Sequence, residues 1–106
     1  MVITFATASL RKLVNDKGKL VRRFGKECAD LIRRRLDDMD AAENLAAMKK
    51  VHQRTHPMTG NLKGLISMDV KHPKRLLVRP LNGFVGAGAN WERVTAVEVV
   101  DIRDTH

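Results

Sequence analysis

THPMTGNLKGLISMDVKHPKRLLVRP, residues 55–80, is the stretch whose reading decides the fold. It reads as two strands joined by a turn. Side chains alternate between the two faces of a strand. Leu62, Ile66, Met68 and Val70 therefore fall on one side, with Gly64 between them, and Lys63, Leu65, Ser67 and Asp69 fall on the other. Lys71-His72-Pro73-Lys74 interrupts the run, because proline has no amide to donate to a ladder and favours turns. Alternation resumes at Arg75, with Leu76 and Val78 pointing one way and Arg75, Leu77 and Arg79 the other. If the apolar sets share one core, then Lys63, Ser67, Arg75 and Arg79 share the opposite face. Two readings of that face stand. It is a set of fixed cations suited to a phosphate, or it is a solvated basic sheet face.

Working outward, 106 residues suffice for one domain with a modest core. A hydrophobic content of 43% points to a folded chain. No apolar run approaches the roughly 20 residues of a membrane span. The N-terminal MVITFATASLRKLV lacks the order of basic, apolar and cleavage regions of a signal peptide. With one cysteine, Cys28, the chain cannot close an internal disulfide, and a reducing cytoplasm is the expected setting. The formal charge of +8 favours polyanionic partners such as nucleic acid, a ribosome or an acidic protein. Aromatics make up only 4%, which argues against a platform that stacks single-stranded bases.

Ahead of the opening stretch, Val2 to Ala6 suits a short strand, and Thr7 or Ser9 can cap a helix over Leu10 to Val14. Asn15-Asp16-Lys17-Gly18 is a loop signal. Lys19 to Met39 predicts one helix, with Leu20, Phe24, Cys28, Leu31, Ile32, Leu36 and Met39 on a single apolar stripe. Gly25 is its weak point, at about 1 kcal/mol against alanine. Arg22, Arg23, Lys26, Arg33, Arg34 and Arg35 lie opposite, as a solvated face that also suits an acidic partner or as a grip on nucleic acid. Cys28 belongs to the stripe and reads as core. Asp40-Ala-Ala-Glu43 has capping-box spacing before a short helix through Met48. Lys49 to Thr59 reads as a basic connection, in which Pro57 and the lack of a nearby cysteine argue against zinc on His52 and His56.

Beyond Pro80, Leu81 to Asn90 reads as a glycine-rich hairpin connection without a nucleotide-binding pattern, and Trp91 anchors its return. Val94 to Ile102 is dense in valine and predicts a central strand covered on both faces. The expected fold is α+β, a single domain over residues 1–106. Its N-terminal strand and helices pack on one face of a small, mostly antiparallel sheet. The first strand sits beside the last or the middle one.

Several segments, in order, resemble one family. They are Leu36-Asp37-Asp38-Met39-Asp40-Ala41-Ala42-Glu43-Asn44-Leu45, His56-Pro57-Met58-Thr59-Gly60-Asn61-Leu62-Lys63-Gly64, Ser67-Met68-Asp69-Val70, Arg75-Leu76-Leu77-Val78-Arg79-Pro80 and Trp91-Glu92-Arg93-Val94-Thr95-Ala96-Val97. The closing Ile102-Arg103-Asp104-Thr105-His106 is similar to a family terminus that usually reads Asp-Tyr-His. The set resembles toxins of the RelE/ParE superfamily, in the HigB-like branch.

That resemblance implies a microbial-RNase-like fold, ribosome-dependent mRNA cleavage in the cytoplasm, and neutralisation by an antitoxin encoded alongside. The antitoxin is expected to be a helix-turn-helix protein, and the pair to bind operator DNA. The chemistry implied uses no cofactor or metal: the ribose 2′-OH attacks the adjacent phosphate and the 5′-oxygen leaves. Such a step needs proton transfers at both oxygens and cations on the phosphorane. Arg75 matches the family's phosphate-holding arginine, with Lys63 and Arg79 adding charge. His106 matches the terminal histidine and suits acid–base work near neutrality. Asp104 orients it or contacts the RNA. His56 also matches a family position, as a catalytic group or as a hydrogen-bonded histidine that organises its loop. Thr105, in the RNA-contacting terminus, replaces the usual Tyr and loses its phenol. Thr59 stands where some members have a catalytic lysine. Alternatives are a ParE-like gyrase inhibitor and a non-catalytic RNA- or protein-binding module.

Overall fold

The structure, a computed structural model, describes residues 1–83 and 90–105. The hairpin connection expected over Leu81–Asn90 therefore falls mostly outside the described residues, as does His106. Strand β1 (Val2–Phe5) leads into α1 (Ala8–Val14), α2 (Lys17–Phe24), α3 (Lys26–Ala41) and α4 (Leu45–Val51). Strands β2 (Thr55–Pro57), β3 (Ile66–Asp69), β4 (Lys74–Pro80) and β5 (Ala96–Asp104) follow. They form one sheet of order β1-β5-β4-β3-β2, in which β1 runs parallel to β5 and every other pair is antiparallel. The fold is α+β, as the sequence predicts. Among the described residues no helix is long and apolar enough to cross a membrane.

The register follows from the alternation in the opening stretch. Ile66 pairs with Val78 and Met68 with Leu76; Leu76 in turn pairs with Ile102, and Val78 with Val99. These side chains are buried and meet Ile32, Leu36 and Met39 of α3 and Leu45 and Met48 of α4 in one core. Truncating such a buried aliphatic side chain typically costs about 2–5 kcal/mol. A register shift between Leu77 and Val78 marks a bulge where β4 meets β5.

Several local expectations need correction. The long helix over Lys19–Met39 is two helices. Gly25 adopts φ 83 and ψ 161, a region that only glycine occupies readily, so the chain turns there and restarts. The loop at Asn15–Gly18 shrinks because Asp16 is an N-cap, accepting from the Lys19 amide at 3.0 Å and starting α2 at Lys17. Asp40 lies within α3, and Asn44 caps α4 instead, accepting from Ala47. The Lys49–Thr59 connection contains the last turn of α4 and all of β2. Three strands, not two, therefore span residues 55–80. β5 is central in the sheet but covered on one face only, with Glu98 and Asp101 half-buried and Arg103 exposed on the other.

Candidate active site on the open sheet face

Alternation places His56, Ser67, Asp69, Arg75, Leu77, Arg79, Glu98, Asp101 and Arg103 on the face away from the helices. Two rows cross it. His56 pairs with Ser67, Ser67 with Leu77 and Leu77 with Asp101. Asp69 pairs with Arg75, and Arg75 with Arg103. Residues directly opposite on neighbouring strands have Cβ atoms about 5 Å apart, so the members of each row are cross-strand neighbours. Ser67 and Leu77 are fully buried on this face.

Ion pairing differs from the bare cation set expected. Arg75 Nη1 donates to Asp69 Oδ1 at 2.5 Å and to Ser67 Oγ at 3.5 Å. Asp69 also accepts from Arg54 Nε through its other oxygen. Arg79 pairs with Glu98 at 2.9 Å, and Arg103 with Asp101 at 3.6 Å. Each of these arginines thus has a carboxylate partner: the register sets Asp69 opposite Arg75 and Glu98 opposite Arg79, and Arg103 finds Asp101 two residues away on its own strand. Both bonds of Arg75 use Nη1. Among the described residues its Nε and Nη2 carry no partner, and a guanidinium has five N–H donors.

Burial pushes the Asp69 carboxyl up, but the hydrogen bond from Arg54 and the charges of Arg75, Arg54 and His56 outweigh it, and the carboxyl is held below its ordinary value. Arg35 of α3 donates from Nε to the Asp69 carbonyl at 3.1 Å and pairs with Asp38 at 3.8 Å. Its side chain is only 14% exposed, so Arg35 belongs to this network and not to a solvated helix face. His52 closes α4 nearby. Burial, then the Arg35 charge, lowers its pKa, and its Nε2 has no hydrogen-bond partner among the described residues.

A cleft of about 420 Å³ lies between the loop that follows β2 and the end of β5, lined by Met58, Thr59, Asn61, Leu62, Arg103, Asp104 and Thr105. Of the sequence-predicted residues, Asp104 and Thr105 are in the cleft, while His56, Arg75 and Arg79 are on the strands of the open face. Lys63 was expected on a strand beside them. It is exposed in the loop instead, closing the single 3₁₀ turn of Gly60–Leu62, because β3 begins only at Ile66. His106 follows Thr105 in sequence and lies outside the described residues.

Sequence reasoning missed Arg103 and Arg54, and it assigned Asp69 no role. For Asp69 the signal was present. Asp69 and Arg75 stand three residues to either side of His72, in the turn between β3 and β4, and positions so placed face each other in a hairpin. Among the described residues no three His, Cys, Asp or Glu side chains converge as a metal-binding group. Burial raises the Cys28 thiol pKa, in keeping with a core role. Compared with known proteins, the chain matches no family model and no curated protein.

Proposed function

We propose that this chain is the toxin of a type II toxin–antitoxin system, a HigB-like member of the RelE/ParE superfamily with its microbial-RNase-like fold. In this reading it cleaves mRNA on the ribosome, in the cytoplasm, and an adjacently encoded antitoxin neutralises it. One observation carries the reading. Asp69, Arg75 and Arg103 stand in line across three strands, next to a cleft lined by the residues that precede His106.

The chemistry follows from that arrangement. Asp69 and Ser67 hold Arg75 by one nitrogen, which fixes the guanidinium while its Nε–Nη2 edge takes the scissile phosphate. The ribose 2′-oxygen forms a bond to phosphorus as the bond to the 5′-oxygen breaks, leaving a cyclic phosphate and a free 5′-hydroxyl. One side chain accepts the 2′-OH proton and another protonates the leaving oxygen. His106 and His56 are the candidates, with Asp104 orienting His106. Arg79, Lys63 and Thr105 contact the flanking RNA. Negative charge growing on the non-bridging oxygens is what Arg75 stabilises. No step requires a metal ion.

Expression without antitoxin is the test. Pulse labelling of protein, RNA and DNA synthesis should show protein synthesis stopping first. DNA synthesis stopping first would replace this reading with gyrase inhibition. Unimpaired growth with soluble protein would leave only a binding module.

A further inference from the structure

The break at Gly25 divides the basic helix face in two, and the halves differ. On α3, Lys26 pairs with Asp30, Arg33 with Asp37 and Arg35 with Asp38. Among the described residues the α1–α2 hairpin forms no such ion pairs. Residues 8–24 hold Arg11, Lys12, Lys17, Lys19, Arg22 and Arg23 against a single carboxylate, Asp16, a net of +5 of the chain's +8. All six cations are exposed, and none forms an ion pair with another described residue. Asp16 is occupied as the N-cap of α2. At 100° per residue, Lys19, Arg22 and Arg23 fall within an arc of about 100°, opposite the apolar side of α2.

We infer that the α1–α2 hairpin is a second binding surface, which takes the phosphodiester backbone of a structured nucleic acid. Clustered exposed cations that form no ion pair among the described residues are the electrostatic footprint of such a ligand. The apolar side chains of the hairpin exclude the competing classes. Val14 and Leu20 are buried, and Leu10, Leu13, Val21 and Phe24 pack against the core. No apolar face is left to enter a membrane interface. Among the described residues the exposed large hydrophobics, Val2, Val51 and Leu81, lie outside residues 8–24, so the surface lacks the apolar centre of a protein–protein contact. Phe24, its one aromatic, is half-buried under Arg23, whose guanidinium carbon is 5.7 Å from the ring centroid, and offers no free face to an unpaired base. Backbone phosphates of a duplex require none of these features.

The surface is separate from the sheet-face cleft, and its test measures binding without cleavage, so either can fail alone. A labelled RNA hairpin with a stem of about 16 base pairs, and a DNA duplex of the same sequence, are titrated with the full chain between about 50 and 200 mM salt. Anisotropy gives the slope of log affinity against log salt. Arg22→Gln with Arg23→Gln should flatten that slope by about two, one for each phosphate that is no longer neutralised. Lys12→Gln with Lys19→Gln should do the same. Lys26→Gln with Lys50→Gln removes equal charge from other helices and should leave the slope unchanged. Circular dichroism checks that each variant folds. Tighter binding of the RNA assigns the surface to A-form helices, and equal binding assigns it to either duplex. The inference is overturned if the intact chain binds neither duplex, or if the control pair flattens the slope equally. It is overturned too if the hairpin variants keep duplex binding while losing polyglutamate or phosphatidylserine vesicles.

Discussion

Replacing Asp69 by alanine removes the carboxylate that Arg54 and Arg75 share. The side chains of Asp69 and Arg75 are 22% and 19% exposed, so their bond lies largely out of water. A hydrogen bond to a charged group contributes about 1.5–3 kcal/mol, and its loss leaves Arg75 without a counter-charge. Arg54 is 67% exposed, and its pair adds only about 0.2–1 kcal/mol. Asp69→Ala should therefore cost about 2–4 kcal/mol in urea unfolding. A double-mutant cycle isolates the pair. Asp69→Ala and Arg75→Ala should couple by about 1.5–3 kcal/mol. The same cycle on Glu98 and Arg79, where the arginine is 52% exposed, should give less than about 1 kcal/mol. Equal coupling in the two cycles, or none for Asp69–Arg75, would refute the view that Asp69 fixes Arg75 in place.

Gly25→Ala should destabilise the fold by about 1–3 kcal/mol, because a Cβ there meets open space but the backbone conformation is one that alanine resists; thermal unfolding reads the change, and an unchanged midpoint would contradict it. Acid should weaken the fold in two stages. His52 and Asp69 both have folded pKa values below their ordinary 6.5 and 3.8, so each contribution is complete above that value and is lost as pH falls beneath it. Urea midpoints across pH should show both stages, with His52→Gln removing the first and Asp69→Asn the second; stability rising between neutral pH and the carboxylate range would contradict the sign.

The two-residue period of Ile66, Met68, Leu76 and Val78 was enough to specify the core face and the pairing of β3 with β4, since one slip in register would invert every side chain. The apolar stripe of α3 was equally legible in its three- and four-residue steps. Gly25 was visible as a weak residue, yet whether a glycine kinks, ends or merely softens a helix depends on a φ that composition does not reveal. β2 was hidden because three residues carry almost no periodic signal and Pro57 argues against a ladder. On the open face, alternation placed Arg75 and Arg79 correctly, but counting cations along the chain treated them as unpaired. Their carboxylate partners come from neighbouring strands, which only the register brings opposite.

Cleavage of mRNA on translating ribosomes by Arg75→Ala and His106→Ala proteins, each shown by circular dichroism to be folded, tests the central claim most directly. Losing Arg75 should slow cutting by about 10²–10³, the usual effect of removing one donor to a developing oxyanion. Losing His106 should slow it by about 10²–10⁴, the range for a general acid or base. Arg75→Lys should fail as well, because an ammonium held by Asp69 has no second edge to offer a phosphate. Folded Arg75→Ala and His106→Ala proteins that cut at the parent's rate would contradict the account.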